Sequence, residues 1–363
     1  MKQSRLHDHH AKSGATFEDV TDWQVPVHYG DMLGEYRAVR EAVGIADLSH
    51  RGKLRVTGED RVKWLQSVIS NDLLSLRPGQ GRYSSFLTHK GKMLTYFRCY
   101  LQADAVMLED VGEIGDQTFS ALRKFLLYGT KAKMENCRES WGSLLVSGPK
   151  AAAVMKAAFG TDVADLKPIN FISAAIGGQT ALVIRTEETG EHDFGILIPS
   201  DGLVPAWERL LEAGAPNGVK PVGSQAREAL RVEAGLPKAG SDLNEEIVPP
   251  EANLQDKAFS LTKGCYPGQE VVARMDTYGS VRRHLVGLVL KGSVVPPKGA
   301  KLFTGTREVG RVTSATQSPE LNAPIALGFP LRDFSAEGTM LSIEADGVRY
   351  EATVRALPFR HTS

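Results

Sequence analysis

The sequence predicts an α+β protein that ends in a small antiparallel β-barrel. Three observations lead to this fold class. Helical and strand patterns are mixed up to about residue 280, without the regular alternation of a doubly wound parallel sheet. Short strand patterns separated by Gly and Pro then recur at near-regular spacing towards the C-terminus. The length of 363 residues is enough for two or three domains.

The first half of the α+β region begins with an amphipathic helix over 30–43. Its apolar residues Met32, Tyr36 and Val39 recur at helical spacing, and Gly44 ends it. Apolar periodicity and turn residues predict the next elements in the same way. The helices are 61–69, 119–127 and 150–159, and the strands are 45–48, 52–57, 82–88, 92–102, 106–110 and 144–147.

A second set of strands and helices repeats this plan, although no sequence repeat is visible. The stretch 240–251 is acidic, contains proline and is predicted to be irregular. The strands of this second set are 169–175, 179–185 and 194–199, and its helices are 203–213 and 224–235. The barrel strands are 283–290, 301–303, 307–316, 323–329, 340–345 and 348–357.

Charge and composition exclude several classes of protein. Lys and Arg number 43, as do Asp and Glu, so the whole surface is not built to hold nucleic acid or an anionic membrane. The sequence has no apolar run long enough to span a membrane and no signal peptide, so a cytoplasmic location is expected. Cys99, Cys137 and Cys265 are too few and too far apart for a zinc or iron–sulfur site, so no bound metal is expected.

The N-terminal stretch 1–14 is polar and carries three histidines, His7, His9 and His10. A metal site is one interpretation of this cluster. A flexible polar terminus is the simpler interpretation, and it is the one expected here.

The most unusual segment is the eight-residue run KGCYPGQE at 263–270. Within it, residues 266–269 fit a type II turn, because proline fixes φ at the second position and glycine accepts a positive φ at the third. Cys265 adjoins this turn, and Lys263 and Arg274 would lower the pKa of its thiol if they fold close to it. A reactive cysteine and an ordinary cysteine in a turn at a domain boundary both fit the pattern.

The run 263–270, followed by VVAR at 271–274, resembles the signature of the YgfZ-type folate-binding proteins. These proteins belong to the superfamily of the glycine-cleavage T-protein, an aminomethyltransferase. The resemblance extends over nearly the whole chain, because further segments similar to the T-protein occur in the family's order. These segments are 44–50, 52–58, 70–72, 78–80 with Tyr83, 141–151, 226–235 and 249–254.

The resemblance implies a ring of three domains around a central channel that holds tetrahydrofolate or one of its one-carbon derivatives. Residues 1–275 would form the folate-binding region, with two interleaved α+β subdomains at about 50–140 and at 1–49 with 141–275. Residues 276–363 would form the barrel.

The resemblance also assigns roles to individual residues. Glu191, in a Thr-Gly-Glu motif, would accept hydrogen bonds from the pterin edge. Arg227 would contact the same ligand or clamp a carboxylate, and Tyr83 would stack or pack on the folate. A solvated acid, a surface ion pair and a core tyrosine are the alternatives for these three positions. Cys265 would be the catalytic residue, supported by Lys263, Gly264, Tyr266, Gly268, Gln269, Glu270 and Arg274.

The chain departs from the T-protein at the positions that carry acid–base chemistry. The T-protein has an aspartate pair where this chain has Thr95 and Tyr96. General acid–base catalysis needs a group with a pKa near the working pH, and neither replacement supplies one. Glu188 replaces a tyrosine before the Thr-Gly-Glu motif. Whether the chain is an enzyme is therefore left open by the sequence.

The leading expectation is a monomeric, tetrahydrofolate-binding protein that supports iron–sulfur cluster assembly or repair and tRNA modification enzymes, with Cys265 as the key residue. One alternative is a folate-dependent aminomethyltransferase or methyltransferase. Another is a non-catalytic interaction module that contacts iron–sulfur client proteins or tRNA. A basic hairpin would supply the tRNA contact, with Arg82, His89, Lys90, Lys92 and Arg98. An ordinary charged face, or a binding site for the glutamate tail of folate, is the simpler interpretation of these residues.

Overall fold

The computed structural model describes residues 1–160, 162–255, 257–279 and 281–360. Their strands form a two-stranded hairpin, a six-stranded sheet, a five-stranded sheet and a closed six-stranded barrel, so the predicted α+β class with a C-terminal barrel is confirmed. The helices are α1 (His7–Lys12), α2 (Met32–Glu41), α3 (Arg61–Val68), α4 (Gln117–Arg123), α5 (Ala151–Phe159), α6 (Leu203–Gly214), α7 (Ser224–Glu233) and α8 (Gln269–Tyr278). The strands are β1 (Thr16–Val20), β2 (Trp23–His28), β3 (Gly44–Asp47), β4 (Lys53–Thr57), β5 (Gly81–Leu87), β6 (Met93–Leu101), β7 (Ala105–Asp110), β8 (Lys133–Asn136), β9 (Trp141–Ser147), β10 (Phe171–Ile176), β11 (Gln179–Thr186), β12 (Asp193–Pro199), β13 (Lys220–Pro221), β14 (Val286–Leu290), β15 (Lys301–Thr304), β16 (Arg307–Ser318), β17 (Ala323–Pro330), β18 (Met340–Ala345) and β19 (Val348–Arg355).

The six-stranded sheet has the order β10-β11-β12-β9-β3-β13, and only the short β13 pairs in parallel. Its two faces carry different cores because side chains alternate along a strand. Leu144 and Val146 of β9 lie in the core under α5 and α6, which includes Trp207. Leu145 lies in the opposite core, which α2 and α7 cover. The sheet is therefore held between two pairs of helices.

The five-stranded sheet has the order β5-β6-β7-β4-β8. One face packs on α3 and α4, with Phe97 and Cys99 of β6 in that core. The other face carries Tyr96 and Tyr100 into a central cluster. Apolar residues of the six-stranded sheet and of the barrel, such as Leu327, join the same cluster. The three parts of the molecule thus share one core.

The barrel closes in the order β14-β17-β16-β15-β18-β19. The acidic stretch before it, predicted to be irregular, attaches the barrel to α7. Asp242 accepts hydrogen bonds from Thr313 (2.6 Å) and Ser314 (2.8 Å) of β16, and its other oxygen pairs with Arg231 of α7 at 2.9 Å. A buried carboxylate therefore joins the barrel to the rest of the chain.

The expectation of a flexible N-terminus is wrong. Within the first fourteen residues α1 is docked, and His10 is buried between Tyr29, whose hydroxyl lies 2.9 Å from Nδ1, and Asp47, 3.2 Å from Nε2. His7 stacks on Phe17 of the hairpin, which was also not predicted. The polar residues of this segment have partners far along the chain, which local sequence does not reveal.

The C-terminal tail returns to the α+β region. The amide of Phe359 donates to the carbonyl of Glu233 at 2.9 Å, and Arg360 pairs with Glu191 at 2.5 Å. The last described residues therefore contact the end of α7 and the turn between β11 and β12. No helix in the described ranges is long and apolar enough to cross a membrane.

Candidate functional site

A cavity of about 580 Å³ lies where the β1–β2 hairpin, α7 and the barrel meet. Its apolar wall comes from the hairpin, α2 and β9, and includes Val20, Val25, Val27, Met32 and Leu145. Its polar wall comes from α7 and from the loops that follow β3, β7 and β11. The charged residues of the lining are Glu18, Arg51, Glu113, Glu188, Arg227, Glu228, Arg231 and Lys238.

Helix α7 turns one polar stripe towards the cavity. Ser224, Arg227, Glu228 and Arg231 are spaced by three and four residues, so they share one face of the helix. The helix can begin here because Gly223 lets the chain pass close to β2. A Cβ at position 223 would lie 2.1 Å from the carbonyl oxygen of Val27. The start of α7 is thus fixed against the hairpin that forms the opposite wall.

Arg227 is the cation of the cavity without a hydrogen-bond partner among the described residues. Its side chain is buried, with the residue only 8% exposed, and Nε makes no hydrogen bond. Burial, and then the like charge of Arg51, lower the pKa of its guanidinium. A buried donor group without a partner is costly, so this arginine is arranged to receive an anion or an acceptor from a ligand.

The floor of the cavity is a paired charge network around Glu188. Arg51 donates two hydrogen bonds to Glu188, at 2.7 and 3.0 Å, and Arg98 donates a third. Arg98 also pairs with Glu109 at 3.2 Å. Burial opposes the ionisation of Glu188, but the two arginines outweigh it and hold its pKa well below the ordinary value. Glu188 is therefore a carboxylate that is already fully engaged.

A second network lines the side wall. Lys238 bridges Glu113 and Glu228, at 3.0 Å to each, and Arg231 pairs with Glu228 at 2.6 Å. Burial raises the pKa of Glu228, but Arg231 and Lys238 outweigh it and lower the pKa to about 2. The second oxygen of Glu113 faces His50, whose Nε2 lies 3.8 Å away.

Thr95 and Tyr96, which replace the acidic pair, lie in β6 and are buried. Tyr96 stacks on Tyr83, with 5.5 Å between ring centroids. Burial raises the pKa of the Tyr96 hydroxyl well above 10, so it stays protonated at neutral pH. Tyr83 is in the same core, with Arg98 over its ring, and does not line the cavity. The central cluster, rather than a titratable pair, occupies this part of the fold.

Glu191 lies outside the cavity. Its carboxylate accepts from Arg40 at 2.6 Å and from Arg360 at 2.5 Å, and its side chain is 11% exposed. Its expected role at a pterin edge stays a prediction. In this arrangement the carboxylate joins α2, the β11–β12 turn and the C-terminal tail.

The KGCYPGQE run forms the turn predicted for it and then begins α8. Gly268 has φ +79° and ψ 2°, as a type II turn requires, and the Gln269 amide donates to the Tyr266 carbonyl at 3.4 Å. A Cβ at position 268 would lie 2.4 Å from the Thr88 carbonyl oxygen. The turn is therefore packed tightly on the β5–β6 hairpin.

Cys265 is exposed and lies away from the cavity lining. The expected activation of its thiol by Lys263 is not what the structure has. The Lys263 ammonium donates to the carbonyls of Gln66 (2.6 Å), Ile69 and Asn71, and its own pKa is lowered to about 8 by burial. Lys263 thus holds the end of α3. Gly264, Glu270 and Arg274 are exposed, so the motif builds a docked turn and not an enclosed site.

The sequence analysis predicted one cavity residue, Arg227, and named Glu188 only as a departure. It missed Arg51, Glu113 and Lys238 of the lining, and also His50, which faces Glu113 but does not line the cavity. His50 and Arg51 directly follow a strand that the sequence predicts, and this position is the signal that could have identified them. Among the described residues there is no group of three or more His, Cys, Asp or Glu side chains that could hold a metal.

Comparisons with known proteins were made over the whole chain. Residues 6–260 match the family "GCVT N-terminal domain", and residues 283–360 match "Glycine cleavage T-protein C-terminal barrel domain". The chain is 32% identical to the aminomethyltransferase of Chlorobium luteolum, covering all of both chains. It is 31% identical to that of Bacillus subtilis, covering 99% of each. The crystal structure of glycine cleavage system aminomethyltransferase T from Bartonella henselae superposes with a TM-score of 0.89 at 27% identity, covering 99% of this chain and 98% of that one.

These relatives correct the leading expectation from the sequence. The prediction that the chain supports iron–sulfur cluster assembly and tRNA modification is wrong, because relatives that match from end to end carry the name aminomethyltransferase. The resemblance to the T-protein superfamily is confirmed, and the narrower resemblance to YgfZ-type proteins is not supported by these matches.

Proposed function

Because the chain belongs to the glycine-cleavage T-protein family, we propose that it binds a reduced folate in the cavity and transfers a one-carbon unit, with an aminomethyl group as the donor. The observation that carries this proposal is Arg227. Its guanidinium has no hydrogen-bond partner among the described residues, its Nε is buried, and it lines a cavity between α7, the hairpin and the barrel, which is the arrangement expected of a ligand-binding site.

The dimensions and chemistry of the cavity support a folate. A volume of about 580 Å³ is in the range of small-molecule sites. A reduced folate combines a ring system, an aromatic linker and a carboxylate tail. The apolar wall of Val20, Val25 and Leu145 suits the aromatic part, and Arg227 suits a carboxylate or a ring carbonyl.

The same observations explain why the floor does not need to bind the ligand directly. Glu188 is saturated by Arg51 and Arg98, so it fixes the positions of two cations without offering a free acceptor. Thr95 and Tyr96 offer no titratable group. We therefore propose that recognition depends on Arg227 and that the proton transfers depend on another residue of the wall.

The first test is titration calorimetry with tetrahydrofolate under anaerobic conditions. We expect the unaltered protein to bind and Arg227→Met to bind at least tenfold more weakly, because a charge-assisted hydrogen bond contributes about 1.5–3 kcal/mol. Arg37→Met, which removes an exposed arginine of α2, is the matched control and keeps the original affinity. Glu191→Ala in the same series tests the predicted contact to the pterin edge.

The second test measures turnover in the reverse direction. The protein is supplied with 5,10-methylenetetrahydrofolate, ammonium and a small dithiol, and formation of tetrahydrofolate is followed. Turnover supports the transferase. Folate binding without turnover contradicts the transfer step, and no binding at millimolar tetrahydrofolate contradicts the whole proposal.

A further inference from the structure

Building on the proposed function, we infer that Glu113 and His50 form the proton relay of the cavity and take the place of the acidic pair missing at 95 and 96. The juxtaposition that carries this inference is a carboxylate in the cavity wall whose free oxygen faces a buried imidazole. The Glu113 Oε1 to His50 Nε2 distance is 3.8 Å.

The other carboxylates of the lining are unsuited to this task. Glu188 is clamped by two arginines, and Glu228 by Arg231 and Lys238. Glu18 is exposed at the rim and accepts a hydrogen bond from Ser224. Glu113 differs from all three, because only one of its oxygens is held by a cation, at 3.0 Å from Lys238. Its second oxygen is available for a proton.

His50 is placed to share that proton. Its side chain is 3% exposed, and Nε2 has no hydrogen-bond partner in the described ranges. The carbonyl of His50 accepts from Arg138 Nε at 2.8 Å, which fixes the backbone of this residue. A gap of 3.8 Å is just beyond hydrogen-bond length, so a small side-chain rotation brings the two groups together.

The electrostatics agree with the geometry. Burial lowers the pKa of His50 to about 4, so its ring is neutral at pH 7. Burial raises the pKa of Glu113, but His50 and Lys238 outweigh it and keep this carboxylate ionised. The charged groups that face Glu113 are Lys238, Arg51, Arg227 and Arg231.

The proton balance of the transfer requires such a relay. When the aminomethyl carbon moves to the folate, its bonds to the donor atom X and to the amine nitrogen break, and two carbon–nitrogen bonds to the folate form. The two folate nitrogens lose one proton each; X gains one, and the departing amine gains the other and leaves as ammonia. We assign the first of these transfers to the Glu113 carboxylate, which accepts the proton of the attacking nitrogen, with His50 holding it until it passes to X. No oxidant or reductant is needed.

The decisive variant is Glu113→Gln. Glutamine keeps an oxygen for the Lys238 ammonium but cannot carry a proton, so a purely structural role would survive the change. In the reverse assay we expect kcat to fall at least 100-fold while KM for the folate changes less than about twofold. Glu59→Gln, an exposed surface carboxylate, is the matched control. A kcat within about twofold of the original in Glu113→Gln refutes the relay.

Two further measurements separate the possible outcomes. Formate should restore turnover to Glu113→Ala at least tenfold, because it supplies a carboxylate in the space left by the side chain, and the absence of rescue argues against the relay. Failure of the unaltered protein to turn over refutes the proposed function and this inference with it. Turnover that survives Glu113→Gln refutes the inference alone.

Discussion

Replacing Arg227 with methionine should weaken folate binding and leave the unliganded protein as stable as before, or more stable. The two effects have different origins. In the unliganded protein the guanidinium makes no hydrogen bond among the described residues, and Nε is buried. Methionine keeps the apolar stem and removes an unsatisfied donor, whose burial costs about 1–3 kcal/mol.

Attraction to Glu113, Glu188 and Glu228 offsets part of that cost. We therefore expect the free energy of unfolding of Arg227→Met to be unchanged or higher by up to about 2 kcal/mol. Ligand binding moves the other way. At a tetrahydrofolate concentration about 100 times the original Kd, binding adds about 2.7 kcal/mol of stability. A Kd weakened about 50-fold leaves about 0.6 kcal/mol.

Urea unfolding with and without tetrahydrofolate measures both quantities in one experiment. The unaltered protein and Arg37→Met should show the full shift on adding ligand, and Arg227→Met only a small part of it. A loss of more than 2 kcal/mol in the unliganded Arg227→Met protein would show that the arginine has a stabilising partner. That result would refute the reasoning from an unsatisfied guanidinium.

Three other predictions follow from buried or exposed groups. Arg98→Met should destabilise the protein by about 3–5 kcal/mol in urea, the reverse of Arg227→Met, because it removes the salt-bridge partner of the buried Glu109 and one of the two arginines that pair with Glu188; a loss under 1 kcal/mol contradicts this. Asp110, whose Oδ1 accepts from Thr118 and whose Oδ2 has no hydrogen-bond partner in the described part of the chain, has a pKa raised by burial to about 8. Folding favours the protonated carboxyl, because the pKa is higher in the folded protein than in the unfolded chain. The contribution of Asp110 to the free energy of unfolding is therefore fully present below about pH 4 and is lost as the pH rises towards 8. In urea titrations the free energy of unfolding of Asp110→Asn, relative to that of the original protein, should therefore be higher at pH 9 than at pH 5. The same difference between the two proteins at both pH values would contradict the assignment. Cys265 should be the cysteine that reacts rapidly with a thiol reagent, since the other two are buried, and Cys265→Ser should change stability by less than about 0.5 kcal/mol; rapid labelling of Cys99 in the folded protein would show that the core is open.

The sequence was sufficient for elements whose stability comes from their own apolar pattern. Helices α2 and α7 and the barrel strands were predicted close to their observed bounds for this reason. The strand β8 (Lys133–Asn136) was missed because it is a short, mostly polar edge strand. Its conformation comes from pairing with β4, a contact between residues far apart in the chain.

The candidate site shows the same division. Arg227 could be predicted from a motif within one helix. The pairing of Glu113 with His50 could not, because the two residues follow different strands and meet only after those strands join different sheets. Thr95 and Tyr96 do not form a titratable acidic pair, as the sequence indicates, but this local difference led to a wrong prediction of the function. A short motif indicates the chemistry of the residues around it, whereas the family of this chain is identified by similarity along its whole length.

The return of the C-terminal tail to Glu191 and Glu233 also has a mechanical consequence. The barrel is attached to the α+β region at two places. Asp242, before the barrel, binds both β16 and α7, and Phe359 and Arg360, after it, contact Glu233 and Glu191. Two attachments resist rotation of the barrel about either one, so the barrel wall of the cavity keeps its distance from α7.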